Sequence, residues 1–164
     1  MLSVGKRAVS TVAGRVRQFS SQFVKVEDKR IHCVMAGTGP NPLLLLPGAL
    51  GTAATDFGPQ LAGLAGERFT VVGWDPPGYG QSRPPPRDFT DFFRTDARLA
   101  MGTMQALGFS RFSLAGWSDG GITALIAAAV YPELVNKLFV WGANAYIAKS
   151  DIEMIEQVRY TFYT

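Results

Sequence analysis

The chain of 164 residues contains one cysteine and one histidine, and no acidic residue before Glu27. The lone thiol, Cys33, excludes an internal disulfide and fits a reducing compartment; set in a strand-like run, it reads as packing. No apolar run reaches the roughly 20 residues of a membrane-spanning helix, so no transmembrane segment is expected. A nucleotide-binding reading fails as well. Asp75-Pro76-Pro77-Gly78-Tyr79-Gly80-Gln81-Ser82 contains two glycines but opens no helix, and no P-loop lysine follows it, so it reads as architectural. The basic balance, 16 Lys and Arg against 13 Asp and Glu, belongs to one end. Lys6, Arg7, Arg15, Arg17 and Lys25 all precede the first acid; taking these five from the 16 leaves 11 bases against 13 acids for the rest. The excess therefore implies no nucleic-acid surface.

What is present has the length, and with 47% hydrophobic residues the composition, of one soluble globular domain. Residues 1–22 read as a mitochondrial targeting segment: acid-free, rich in Ser, Val and Ala, with arginines spaced to share a helical face. Arg17-Gln18-Phe19-Ser20 resembles a processing site for the matrix protease, cut after Phe19. Residues 23–26 and 31–36 predict two short strands joined by the charged turn Glu27-Asp28-Lys29-Arg30. Leu43-Leu44-Leu45-Leu46 and residues 69–74, 112–117 and 135–141 are apolar runs that suit strands buried on both faces. Helices are expected within 57–65, over 89–107 with Phe93, Ala97, Ala100, Met104 and Leu107 along one face, and over 122–129. Strands alternating with helices predict an α/β fold: a mostly parallel sheet with helices on both faces, ending after about the sixth strand.

The chemistry concentrates where a strand turns sharply into a helix, at Gly116-Trp117-Ser118-Asp119-Gly120-Gly121. A serine on such a turn projects its hydroxyl above the sheet, and small neighbours are needed because the turn crowds adjacent backbone. The N–H after it, that of Asp119, then points at a developing oxyanion near the positive end of the helix. By itself Gly116-x-Ser118-x-Gly120 is a common small-residue turn; between a strand and a helix it is the nucleophile elbow of the α/β-hydrolases. The loop Pro47-Gly48-Ala49-Leu50-Gly51, after the first buried strand, would supply the second oxyanion N–H, with Ala49 favoured and Leu50 the alternative. The Asp119 side chain could cap the following helix or meet a cationic group on the substrate, and the residue types leave both open. Serine also needs a histidine to take its proton and an acid to orient that histidine, both after the nucleophile in this fold. His32 precedes Ser118, on a strand expected near a sheet edge, and no catalytic role follows for it. The acids after Ser118 are Asp119, Glu133, Asp151, Glu153 and Glu156, none following a further strand that could present it to a histidine. The triad is incomplete.

From residue 23 to 146 the chain resembles the biphenyl hydrolase-like (valacyclovir hydrolase) family of animal mitochondrial α/β-hydrolases. The resemblance is carried by Leu43-Leu44-Leu45-Leu46-Pro47-Gly48, Asp56-Phe57-Gly58-Pro59-Gln60-Leu61, Trp74-Asp75-Pro76, the elbow with its helix through Ala129, and Trp141-Gly142-Ala143-Asn144-Ala145-Tyr146. It implies a serine hydrolase of α-amino acid esters, including ester prodrugs, that works without cofactor or metal. Ser118 matches the family's nucleophile and Asp119 the residue whose carboxylate holds the substrate ammonium. The partner implied is a small ester with an α-ammonium group, bound by a monomer with no nucleic acid or membrane involved. Residues 23–146 then form the N-terminal part of the hydrolase domain and 147–164 the start of a cap region. The family's triad acid and histidine have no counterpart here, so the chain as written is expected to be inactive. A non-catalytic fragment or binding product and a carbon–carbon bond hydrolase are the rival readings.

Overall fold

The computed structural model describes residues 7–12, 15–146, 149–150 and 152–153. One seven-stranded sheet organises them, built from β1 (Arg7–Val12), β2 (Arg15–Val26), β3 (Lys29–Ala36), β4 (Asn41–Leu46), β5 (Phe69–Trp74), β6 (Phe112–Trp117) and β7 (Val135–Trp141), in the order β1-β2-β3-β5-β4-β6-β7. The first three strands and β5 pair antiparallel; β5, β4, β6 and β7 pair parallel. Three helices connect the parallel part: α1 (Ala53–Leu64), α2 (Phe92–Ala106) and α3 (Asp119–Val130).

The four consecutive leucines of β4 are apolar throughout because the sheet is covered on both sides. Leu45 joins Phe57 and Leu61 of α1 with Val71 on one face, while Leu44 and Leu46 join Val72, Trp74, Leu99, Met104 and Leu114 on the other, under α2 and α3. This alternation places α1 opposite the other two helices, as right-handed crossovers moving first to β5 and then back past β4 to β6 require. The strand order therefore reverses between β4 and β6, and the crevice beyond their carboxyl ends is where such sheets bind ligands.

Three expectations are corrected. The sheet has a seventh strand, since residues 7–12 pair with 15–20 and β2 continues along β3 to Val26↔Lys29. The arginines there have helical spacing, but Val9, Thr11, Val12 and Val16 are β-branched and favour extended backbone once a partner strand is available. His32 consequently lies on the third strand, 2% exposed, and not near a sheet edge. Helix α1 starts four residues before the expected 57, because Thr52 and Thr55 form a reciprocal capping box at its N-terminus. The cap-region reading of residues 147–164 falls mostly outside the described residues, within which 149–150 and 152–153 are helical. Among the described residues strand β7 pairs only with β6, and Phe139 is 66% exposed. No helix among the described residues is long and apolar enough to cross a membrane.

Candidate active site

Strand β6 ends at Trp117 and α3 begins at Asp119, so Ser118 makes the whole turn. Its backbone sits at φ 53°, ψ −126°, outside the basins that non-glycine residues prefer and worth roughly 1–3 kcal/mol of strain. Hydrogen bonds on both sides hold it. The Ser118 N–H donates to the Trp141 carbonyl at 3.1 Å, and the Ser118 carbonyl accepts from the N–H groups of Gly121 (2.9 Å) and Ile122 (3.1 Å). The flanking glycines are steric necessities: a Cβ at Gly116 would stand 2.3 Å from the Gly120 carbonyl oxygen, and one at Gly120 2.0 Å from that of Leu46.

The loop after β4 lies directly against this turn. A Cβ on Gly48 would be 3.2 Å from the Ser118 Cβ and 3.0 Å from the Trp117 ring. The Gly51 N–H donates to the Gly48 carbonyl at 3.1 Å, closing a turn in which Leu50 has φ 60°. Among the described residues the N–H groups of Ala49, Leu50 and Asp119 donate to no protein acceptor. Two of these N–H groups belong to the loop whose Gly48 stands against Ser118, and the third lies at the positive end of α3.

Asp56, which sequence reasoning passed over, ties loop and elbow together. Its carboxylate accepts from the Gly48 N–H and from the Trp117 indole N–H, both at 2.9 Å. In sequence it enters only as the first residue of a segment that carries the family resemblance; its partners come from two other segments.

Asp119 is half-buried, and no hydrogen bond to its carboxylate exists among the described residues, so it does not cap α3. Burial pushes its carboxyl above the ordinary range, opposed by the positive charge of Arg87. It lines a pocket together with Trp74, Tyr79, Arg87, Asp96 and Thr123. Arg87 and Asp96 form a bidentate pair in that wall, Nη1 to Oδ1 at 2.9 Å and Nη2 to Oδ2 at 2.7 Å, their side chains 8% and 7% exposed. Arg87 also donates to the Pro77 carbonyl and lies 4.8 Å from the ring centres of both Tyr79 and Phe92. Burial raises the Asp96 carboxyl, Arg87 opposes this, and the charge of Asp119 raises it further. The pair was not visible from the pattern of α2, whose inward face was read from its apolar residues alone.

His32 is spent elsewhere. Its Nδ1 meets Asp75 Oδ2 at 2.9 Å, its Nε2 meets the Ser21 hydroxyl at 2.8 Å, and its N–H donates to the Ser82 hydroxyl at 2.9 Å. Burial alone would raise the Asp75 carboxyl, but bonds from His32, the Gln81 N–H and the Ala53 N–H outweigh it and hold the group below its usual value. The Asp75–Ser82 segment is thereby architectural, fastening β3, the loop after β5 and the start of α1. Cys33 is buried, and burial pushes its thiol up, which leaves it inert as a nucleophile.

The sequence model of the α/β hydrolase fold family matches residues 41–163. Over 141 residues the chain is 54% identical to serine hydrolase BPHL of Homo sapiens, a match covering 85% of this chain and 48% of that protein. It is 35% identical over 135 residues to a 2-hydroxy-6-oxononadienedioate/2-hydroxy-6-oxononatrienedioate hydrolase of Burkholderia vietnamiensis, covering 76% of this chain and 45% of that one. Among solved structures, the 2-hydroxy-6-oxo-6-phenylhexa-2,4-dienoate hydrolase of Rhodococcus is similar in fold, with a TM-score of 0.70 at 24% identity over 81% of this chain and 49% of that one. The chain spans about half the length of the curated relatives it matches.

Proposed function

The chain belongs to the α/β-hydrolase fold family, and from that premise we propose that its full-length form is a serine hydrolase of α-amino acid esters. The observation that carries this reading is Ser118 at positive φ on the strand-to-helix turn, followed directly by Asp119, whose half-buried carboxylate accepts no hydrogen bond among the described residues. Ser118 Oγ attacks the acyl carbon. The oxyanion receives the Asp119 N–H and one from Ala49 or Leu50, the alcohol leaves, and water releases the acyl group from the serine. The ammonium of the substrate pairs with the Asp119 carboxylate, an orienting contact stronger than a neutral hydrogen bond. The proton of Ser118 must pass to an imidazole, and that of His32 is committed to Asp75 and Ser21. Removal of the catalytic base costs on the order of 10⁶ in turnover in a comparable serine hydrolase.

A carbon–carbon bond hydrolase is the rival reading, and some relatives are named as hydrolases of 2-hydroxy-6-oxononadienedioate. Their acidic substrates would meet the charge of Asp119 unfavourably. Full-length protein (this chain continued over the part that its relatives carry beyond it) is to be assayed on α-amino esters, on the same esters without the amine, and on a dienoic acid. Preference for the α-amino ester is the outcome expected; cleavage of the dienoate with no ester turnover would assign the rival reaction.

The acid-free, arginine-containing start supports a mitochondrial address. A fluorescent reporter carrying residues 1–30 should co-localise with mitochondria, and a diffuse cytosolic signal would reject that address. Strand pairing of 7–12 and 15–20 describes the folded chain and is independent of how an unfolded leader is read.

A further inference from the structure

A guanidinium stands in the wall of the pocket where Asp119 is to hold a cation. Uncommitted, Arg87 would neutralise the Asp119 carboxylate and compete with any substrate ammonium. The structure commits it elsewhere: both terminal nitrogens are bonded to Asp96, one of them also to the Pro77 carbonyl, with Tyr79 and Phe92 against the guanidinium. Asp96 reaches this place from α2, a helix that contributes nothing else charged to the buried face. A carboxylate buried there costs stability unless its partner is held in good geometry, and the fork-to-fork contact supplies that geometry. The pocket therefore contains two carboxylates and one guanidinium, and the guanidinium is matched to the carboxylate farther along the chain from the serine.

We propose that Asp96 is a specificity-determining positioning residue: by sequestering Arg87 it keeps the charge of Asp119 available for the ammonium of the substrate. The proposal rests on the reading of Asp119 given above and adds what makes that reading possible beside a cation. It assigns the preference for α-amino substrates to three residues from three segments, the loop after β5, α2 and the start of α3.

The test uses full-length protein and the ratio of kcat/KM for an α-amino ester to that for its amine-free counterpart. Asp96→Asn releases Arg87 while keeping the shape of the side chain. The ratio should fall by about tenfold or more, through KM, because a released cation beside a half-buried carboxylate opposes an incoming ammonium. The loss on the amine-free ester should be much smaller than that on the α-amino ester. Arg87→Gln should leave the ratio at least as high as in the parent, since the competing cation is gone. The double variant Asp96→Asn with Arg87→Gln should restore what Asp96→Asn lost, and it also serves where the single variant fails to fold, because both buried charges are removed together. A merely structural pair would give losses on both esters and no rescue. An unchanged ratio in folded Asp96→Asn, or a double variant with no more amine preference than Asp96→Asn, would overturn the proposal. Asp119→Ala separates the two failures: if it abolishes the amine preference while Asp96→Asn leaves it intact, only the role of Asp96 falls; if it leaves the preference intact, the reading of Asp119 falls and takes this one with it.

Discussion

Replacing Ser118 by alanine in the full-length protein should lower ester turnover by on the order of 10⁶, the loss that follows removal of the serine from a comparable catalytic triad. The fold should be spared, since neither the N–H bonded to Trp141 nor the carbonyl bonded to Gly121 and Ile122 depends on the hydroxyl. Glycine at the same position separates chemistry from strain. At φ 53°, ψ −126° a side chain is unfavourable, so Ser118→Gly should be as inactive as Ser118→Ala yet more stable than it by about 1 kcal/mol, the relief of strain exceeding the added freedom of the unfolded chain. Steady-state kinetics and thermal melts of the two variants check both statements. A loss in Ser118→Ala of only about tenfold would show that another group attacks the ester, and a Ser118→Gly variant less stable than Ser118→Ala would show that the turn is not strained.

Asp119→Ala should reduce kcat/KM for α-amino esters by about 30-fold or more. The figure follows from the roughly 2–5 kcal/mol lost when one partner of a buried, hydrogen-bonded charge pair is removed, at 1.4 kcal/mol per tenfold. Amine-free esters should lose little, because the substitution keeps the Asp119 N–H. The pH dependence has a definite sign. Burial raises the Asp119 carboxyl in the folded chain, so as pH falls it is protonated earlier than an ordinary carboxylate. KM for the α-amino ester should therefore climb on acidification at a pH where KM for the amine-free ester is still flat. Stability runs the other way. A carboxyl whose folded value exceeds its unfolded value favours the fold while protonated, and that advantage is lost as pH rises through the folded value. Asp119→Asn should accordingly raise Tm at neutral pH and leave it unchanged well below the carboxylate range. Equal losses on both ester classes in Asp119→Ala would mean that the residue serves the turn and not the substrate.

The elbow was legible because its requirements are local. Gly116 is forced by Gly120 within the same turn, and although Gly120 and Gly121 answer to Leu46 and Ala143 from other segments, the strand–turn–helix pattern itself is written consecutively. The leucines of β4 were legible for a different reason: a strand covered on both faces carries no polar position, and the run stands out. Residues 7–12 were not, since their strand exists by virtue of pairing with 15–20 and of β2 pairing with β3, which the arginine spacing conceals. Asp56, Arg87 and Asp96 show the same limit at the site. Asp56 takes its meaning from Trp117, far along the chain, whereas Arg87 and Asp96 meet each other between a loop and the helix that follows it, a pairing that no periodicity announces. Periodicity announces which face is apolar; it does not announce which charge that face will admit.

Covalent trapping of the nucleophile tests the central claim most directly. Full-length protein is treated with a fluorophosphonate, which phosphonylates an activated serine and displaces fluoride, and the adduct is located by peptide mass mapping. One equivalent on Ser118, with ester turnover lost in proportion, is the outcome this account requires. Loss of turnover with the adduct on another residue, or full turnover with Ser118 already modified, would contradict it.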